Sequence, residues 1–234
     1  VRIIHACPEA AYGHIAAYAD GVPVPFLPNL GYRESSSYLD VPPGPHAIDV
    51  RAAGALPTGQ PLGRGNVPGI ESGSYHTVIA HGVTGTAPGF TLTTHNDDST
   101  APEAGTARFR FFHAIAGIPA IDTCLVGAIV IIPIATPAIP TFSNVQYGAW
   151  GLAAGEIYYT SPAGLPTVVQ FRRAAQRPCT GQVIGSANIT LQPGTVVTTV
   201  AIGNVGRTRI ATELLVCTDF PRASAAQCTT LPIR

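Results

Sequence analysis

The chain has 234 residues, 13 basic and 13 acidic side chains, a formal net charge of zero, and only 11% charged against 46% hydrophobic residues. Every basic residue is Arg and no Lys occurs, so the basic surplus that nucleic acids and anionic membranes select is missing, and both partners are excluded as expectations. The 25 Gly and 22 Pro, with so few charges, argue against amphipathic helices and for short strands joined by tight turns: an all-β chain.

In chain order, the first strand is read over 1–6, "VRIIHA", where Val1, Arg2, Ile3 and Ile4 form an N-terminal edge and His5 closes the strand. Runs of β-formers bounded by Gly, Pro, Asn and Asp place further strands at 14–20, 33–40, 46–52, 66–70, 75–82 and 90–95. Seven strands of this spacing are the pattern of an immunoglobulin-like, Greek-key sandwich. The first unit is therefore set at 1–98 and is followed by a polar, turn-rich linker at 99–105.

The pattern then starts again. Arg110-Phe111-Phe112-His113-Ala114 matches Arg2-Ile3-Ile4-His5-Ala6 without a gap, and "GTVVTTVAIG" at 194–203 matches "GSYHTVIAHG" at 73–82. "SPAGLPTVVQFRRAA" at 161–175 answers "VPPGPHAIDVRAAG" at 41–54, each a Pro-Gly turn launching a strand that ends at Arg. A second sandwich is expected over 106–220, with a C-terminal tail at 221–234.

Within the second unit the stretch from Thr123 to Gly155 carries no charge, and "VGAIVIIPIATPAIPTFSN" at 126–144 is longer and more apolar than its counterpart at 20–29. Its Ile129, Val130, Ile131, Ile132, Ile134 and Ile139 must be buried somewhere. They either cover the open end of their own domain or form an assembly contact with a neighbouring molecule. Pro interrupts the run, so no membrane span is expected. The tail repeats the linker and opening strand, with Asp219 falling on Asp97. Two readings stand for its Thr229, Thr230, Leu231 and Ile233: pairing with the N-terminal edge Val1–Ile4 of another molecule, which would propagate a filament, or being frayed or tied back by Cys228 onto its own domain.

Here a resemblance enters. The hallmark R-V-x-x-H-A-S-P-D-A-P-A-V-D-V-Y-V-D-G, followed by a V-P-A-G turn, a V-x-V-R strand, an A-G-x-x-Y-T-V-V-A-x-G strand and an L-T-D-D linker, belongs to a domain-of-unknown-function family common in tandem on secreted and cell-surface bacterial proteins. The chain resembles it over nearly its whole length. "HAIAGIPAIDTCLVG" at 113–127 keeps His113, Ala114, Pro119, Asp122 and Gly127. "HACPEAAYGHIAAYADG" at 5–21 keeps His5, Ala6, Pro8, Asp20 and Gly21, but has two extra residues and Ala16 in place of the Asp.

The resemblance implies β-sandwiches without established catalytic residues, outside the cytoplasm. The lack of Met at position 1 agrees with a signal peptide having been removed. Outside the cytoplasm the four second-half cysteines are expected to be oxidised, with Cys217 and Cys228 a reasonable pair, leaving Cys124 with Cys179 and Cys7 over.

The residues themselves offer no catalytic or cofactor signature. No Gly-x-Ser-x-Gly elbow or phosphate-binding Gly loop occurs. On one strand, His76 and His81 are an odd number apart and face opposite sides, and His95 with Asp97 and Asp98 lacks the spacing of a calcium loop. His5 and His113 are read as structural, each tying its strand to the next turn. The expectation is a non-enzymatic, cofactor-free surface protein, structural or adhesive and self-associating as a homo-oligomer or polymer. The alternative is a glycan- or peptide-binding module that uses Tyr12, Tyr18, Tyr32, Tyr38, Tyr147 and Trp150 as exposed aromatics.

Overall fold

The computed structural model describes residues 1–9, 13–23, 29–56, 58–83, 89–126, 138–153, 155–206, 209–221 and 228–234. Among these the chain is all-β, with no helix long and apolar enough to cross a membrane. It divides into two compact units, Val1–Ser99 with Ala223–Cys228, and Thr100–Arg222 with Thr229–Arg234. Each is a β-sandwich.

Unit one is built from β1 (Arg2–His5), β2 (His14–Ala19), β3 (Val22–Pro23), β4 (Leu30–Gly31), β5 (Gly44–Ala52), β6 (Gly63–Ile70), β7 (His76–His81) and β8 (Thr91–Asn96). One sheet has the order β1-β7-β8, and the other β3-β2-β5-β6 with β4 also on β2. Period-two alternation turns Ile15, Ala17, Ile48 and Val50 inward, where they meet Ile3, Val67, Val78 and Ala80 from neighbouring strands. The first strand runs parallel to β7, with Arg2 opposite Thr77.

The segment 33–40, expected as a strand, makes only one bridge, Ile4 with Ser35. Its backbone nonetheless follows β1: Ser36 N–H donates to Ile3 O at 2.9 Å, His5 N–H to Glu34 O at 2.9 Å, and Leu39 N–H to Val1 O at 2.8 Å. This corrects one expectation. The N-terminal edge of Val1, Arg2, Ile3 and Ile4 is flanked on both sides within its own unit, so its ladder groups are not open to a strand from another molecule.

Unit two contains β9 (Thr106–Ala116), β10 (Ala120–Val126), β11 (Ile139–Gln146), β12 (Tyr159–Pro162), β13 (Pro166–Arg173), β14 (Val183–Thr190), β15 (Val196–Asn204), β16 (Ile210–Phe220) and β17 (Cys228–Pro232). The orders are β12-β9-β15-β16-β17 and β11-β10-β13-β14, with β9 again parallel to β15. Between the sheets Phe109, Phe111, Phe142 and Phe171 interlock, Phe109 and Phe142 edge to face at 5.6 Å.

The tail reading is settled by placement. Thr229, Thr230 and Leu231 lie on β17 beside β16 in the chain's own unit, and Ile233 N–H donates to Thr212 O at 3.0 Å. Arg234 exchanges backbone hydrogen bonds with Ser186 of β14, so the last residues join the edges of both sheets. Ile233 is buried against Gly185, where a Cβ would approach its Cγ2 to 2.6 Å. Pairing of this tail with another molecule is thereby replaced by closure of its own sandwich. Of the apolar insertion, Ile129, Val130, Ile131, Ile132 and Ile134 fall outside the described residues, while Ile139 opens β11 and is 46% exposed.

Candidate functional site

Arg2 and Arg110 of the two first strands lie on the sheet face turned away from the inter-sheet core, are buried there, and build the same cluster twice. In unit one Arg2 Nε–H donates to Thr77 Oγ1 at 3.0 Å, and the Thr77 hydroxyl donates to Asp97 Oδ2 at 2.8 Å. The Tyr38 hydroxyl donates to the same oxygen at 2.7 Å, and its ring faces the Arg2 guanidinium at 5.1 Å. In unit two Arg110 Nε–H donates to Thr198 Oγ1 at 2.8 Å and the Thr198 hydroxyl to Asp219 at 2.7 Å. Arg110 Nη2 lies 3.6 Å from Asp219 Oδ2, and Trp150 covers the guanidinium at 4.6 Å. Arg110 and Asp219 are fully buried. Buried charges persist where they are paired and hydrogen-bonded, and here each has its partner.

The sequence reading missed these clusters although their signal was in view. Arg2 and Arg110, Thr77 and Thr198, and Asp97 and Asp219 recur at matched positions of the duplication. An Arg that recurs within an otherwise apolar strand needs a buried partner.

Both hallmark histidines are buried. His5 Nδ1 accepts from Cys7 N–H at 3.3 Å and faces Tyr32 edge-on at 6.2 Å. His113 Nδ1 accepts from Ile115 N–H at 3.2 Å, its Nε2–H donates to Ile118 O at 3.0 Å, and Tyr147 faces it edge-on at 5.8 Å. With both ring nitrogens committed, burial pushes the His113 pKa down to about 4. Each imidazole therefore fastens the turn that follows its strand.

The other titratable contacts are no more reactive. His46 bonds the Pro42 carbonyl and Asp20, both at 2.7 Å. These partners raise its pKa, the Pro42 bond most, while the bond to His46 lowers that of Asp20. His76 Nε2 lies 3.1 Å from Ser74 Oγ, but Ser74 donates its hydrogen to Glu71 O and no carboxylate hydrogen-bonds the His76 ring. No nucleophile–base–carboxylate relay results. Among the described residues no group of three His, Cys, Asp or Glu could hold a metal.

Among the described residues the exposed aromatics expected of a binding module are not found. Tyr12 lies outside the described residues, and no described aromatic is exposed; all are buried or half-buried. Tyr18 donates to Ala55 O, and Tyr32, Tyr38, Tyr147 and Trp150 pack on His5, Asp97, His113 and Arg110 as above. What unit one does present is a cleft of about 230 Å³ walled by Tyr38 and Tyr75, Asp40 and Glu71, and Ser72 and Ser74. Cys124 is bonded to Cys179, with Cα atoms 6.0 Å apart; Cys217 and Cys228 are also disulfide-bonded, and Cys7 is a free, buried thiol.

Fold and site together define an all-β sandwich protein. The family model described as "Domain of unknown function (DUF4397)" matches residues 1–124, more than half of the chain, and the chain belongs to that family. No curated protein matches it. Among solved structures it is similar to CBMbc, a family CBM26 module of Eubacterium rectale Amy13K crystallised with maltoheptaose. The two are 11% identical, with 92% of this chain and 96% of that chain covered and a TM-score of 0.26. At that similarity the neighbour carries no weight for site or ligand.

Proposed function

We propose that the chain is a non-enzymatic structural component of an exported surface protein, made of two copies of its family domain, and that it self-associates. The observation that carries this reading is the doubled Arg–Thr–Asp cluster, in which Arg2 and Arg110 are spent on buried hydrogen bonds that hold each sheet together. The disulfides support export. Exposed Leu152, Leu165 and Ile139 in unit two, on a chain without Lys, support association through apolar faces.

A second reading, a binding module for a saccharide or peptide, is favoured by the Tyr38–Tyr75 cleft, where ring faces and carboxylates meet. Light scattering coupled to size exclusion, run over a concentration series, separates the two. Concentration-dependent assemblies are expected. A monomer at every concentration that is retarded on a glycan matrix would overturn self-association in favour of the cleft.

A further inference from the structure

The outer faces of the β2–β5 and β10–β13 pairs hold an internal comparison. In unit two Asp122 stands opposite Arg172 and Cys124 opposite Gln170; in unit one the same register places Ala16 opposite Arg51 and Tyr18 opposite Asp49. Arg172 is satisfied from within: its Nε–H donates to Gln170 Oε1 and its Nη1–H to Gly181 O, both at 3.0 Å. The Asp122 carboxylate beside it accepts from Asn144 N–H at 2.8 Å and Cys179 N–H at 3.1 Å.

Arg51 has lost that arrangement. It is 5% exposed, and one nitrogen, Nη2, is held by Asp49 Oδ2 at 2.9 Å, while Nε and Nη1 are buried with no hydrogen-bond partner. Where unit two has a carboxylate, unit one has the methyl group of Ala16. Asp49 also accepts from Arg64 Nε–H at 3.1 Å, so two guanidinium groups share one carboxylate and the cluster keeps one positive charge. The Tyr18 ring lies under Arg51 at 5.2 Å. Gly59 lies alongside, where a Cβ would sit 3.8 Å from Nη1. In unit two the corresponding segment is fixed by the Cys124–Cys179 disulfide. In unit one the equivalent attachment is one hydrogen bond of 3.3 Å, from Tyr18 Oη–H to Ala55 O.

We propose that Arg51 is the centre of an anion site on unit one that takes a carboxylate group, supplied by a small organic acid or an acidic sugar. The incoming carboxylate supplies the negative charge that Asp122 brings beside Arg172 in the other unit. It accepts from Arg51 Nε–H or Nη1–H, which lie on opposite edges of the guanidinium, and neutralises the excess charge of the Arg51–Asp49–Arg64 cluster. The site shares no residue with the Tyr38–Tyr75 cleft.

The test follows the Arg Nε–H signals of the full chain by NMR while sodium acetate or sodium glucuronate replaces sodium chloride at constant ionic strength, with glucose as a neutral control. A saturable shift of the Arg51 signal with both acids is expected, tighter with glucuronate if the source is an acidic sugar and equal if it is any small acid. Arg51→Gln should weaken the titration roughly tenfold or more, as monitored on neighbouring Gly59 and Ala16 amides, since charged hydrogen bonds are lost. Ala16→Asp supplies the carboxylate internally, and this variant should fold, gain thermal stability and no longer respond. Shifts no larger than those in chloride, or an undiminished response in Ala16→Asp, would overturn the site.

Discussion

His113 shows how far a single side chain is committed to this fold. Its Nδ1 accepts a backbone N–H and its Nε2 donates to a backbone carbonyl, so a second proton has no acceptor and breaks the Ile115 contact. Burial lowers its pKa, and that of His81 in unit one, to about 4. The unfolded chain takes up these protons as pH falls below the ordinary value of 6.5, whereas the folded chain does not do so until about 4. Stability is therefore full above 6.5 and declines between 6.5 and 4, by about 3 kcal/mol for each histidine. The half-buried His46, whose pKa is raised, acts in the opposite sense, its contribution being lost as pH rises. Calorimetry at pH 7.5 and 4.5 should show both units' transitions moving down in acid. His113→Gln, whose amide can still accept and donate, should flatten the slope for unit two and leave that of unit one steep. An unchanged slope for unit two would refute the assignment.

At the scale of elements, much was legible and the remainder has physical causes. Pro-Gly turns followed by alternating apolar residues mark β5 and β13, and Gly followed by β-formers marks β7 and β15, because period-two burial leaves its pattern in the sequence. The segment 33–40 looked like a strand because it is rich in Ser, Tyr and Leu, yet it bonds β1 at irregular intervals and forms no ladder. Composition cannot show that difference. The tail carries only a weak repeat of the opening strand, and its place beside β16 depends on Ile233 filling the space over Gly185, a contact with no linear signal. The anion site was half legible: Ala16 stood out against the hallmark Asp, but nothing linear connects it to Arg51. Removal of 229–234 should lower the stability of unit two by roughly 2 kcal/mol or more, from loss of the buried Ile233, with unit one unaffected. Gly185→Ala should reproduce part of this loss by pushing the tail away. Chemical denaturation followed by the Trp150 fluorescence of unit two checks both, and equal stability of the truncated chain would show the tail to be passive.

On the scale of the molecule, the parallel pairing of the first strand with β7 has a mechanical consequence. Arg2 lies beside Thr77, and Thr77 beside His95, so the chain enters unit one and leaves it at the same end of one sheet. A pull on the two ends of this unit loads the hydrogen bonds between β7 and its neighbours one after another, as a zip is opened, instead of straining a whole ladder at once. Tethered at residues 1 and 99 and stretched singly, unit one should open gradually at low force without an abrupt rupture; a sharp high-force break would contradict the register. In a tension-bearing surface protein such a unit yields early and lengthens, acting as an extensible link rather than a rigid one.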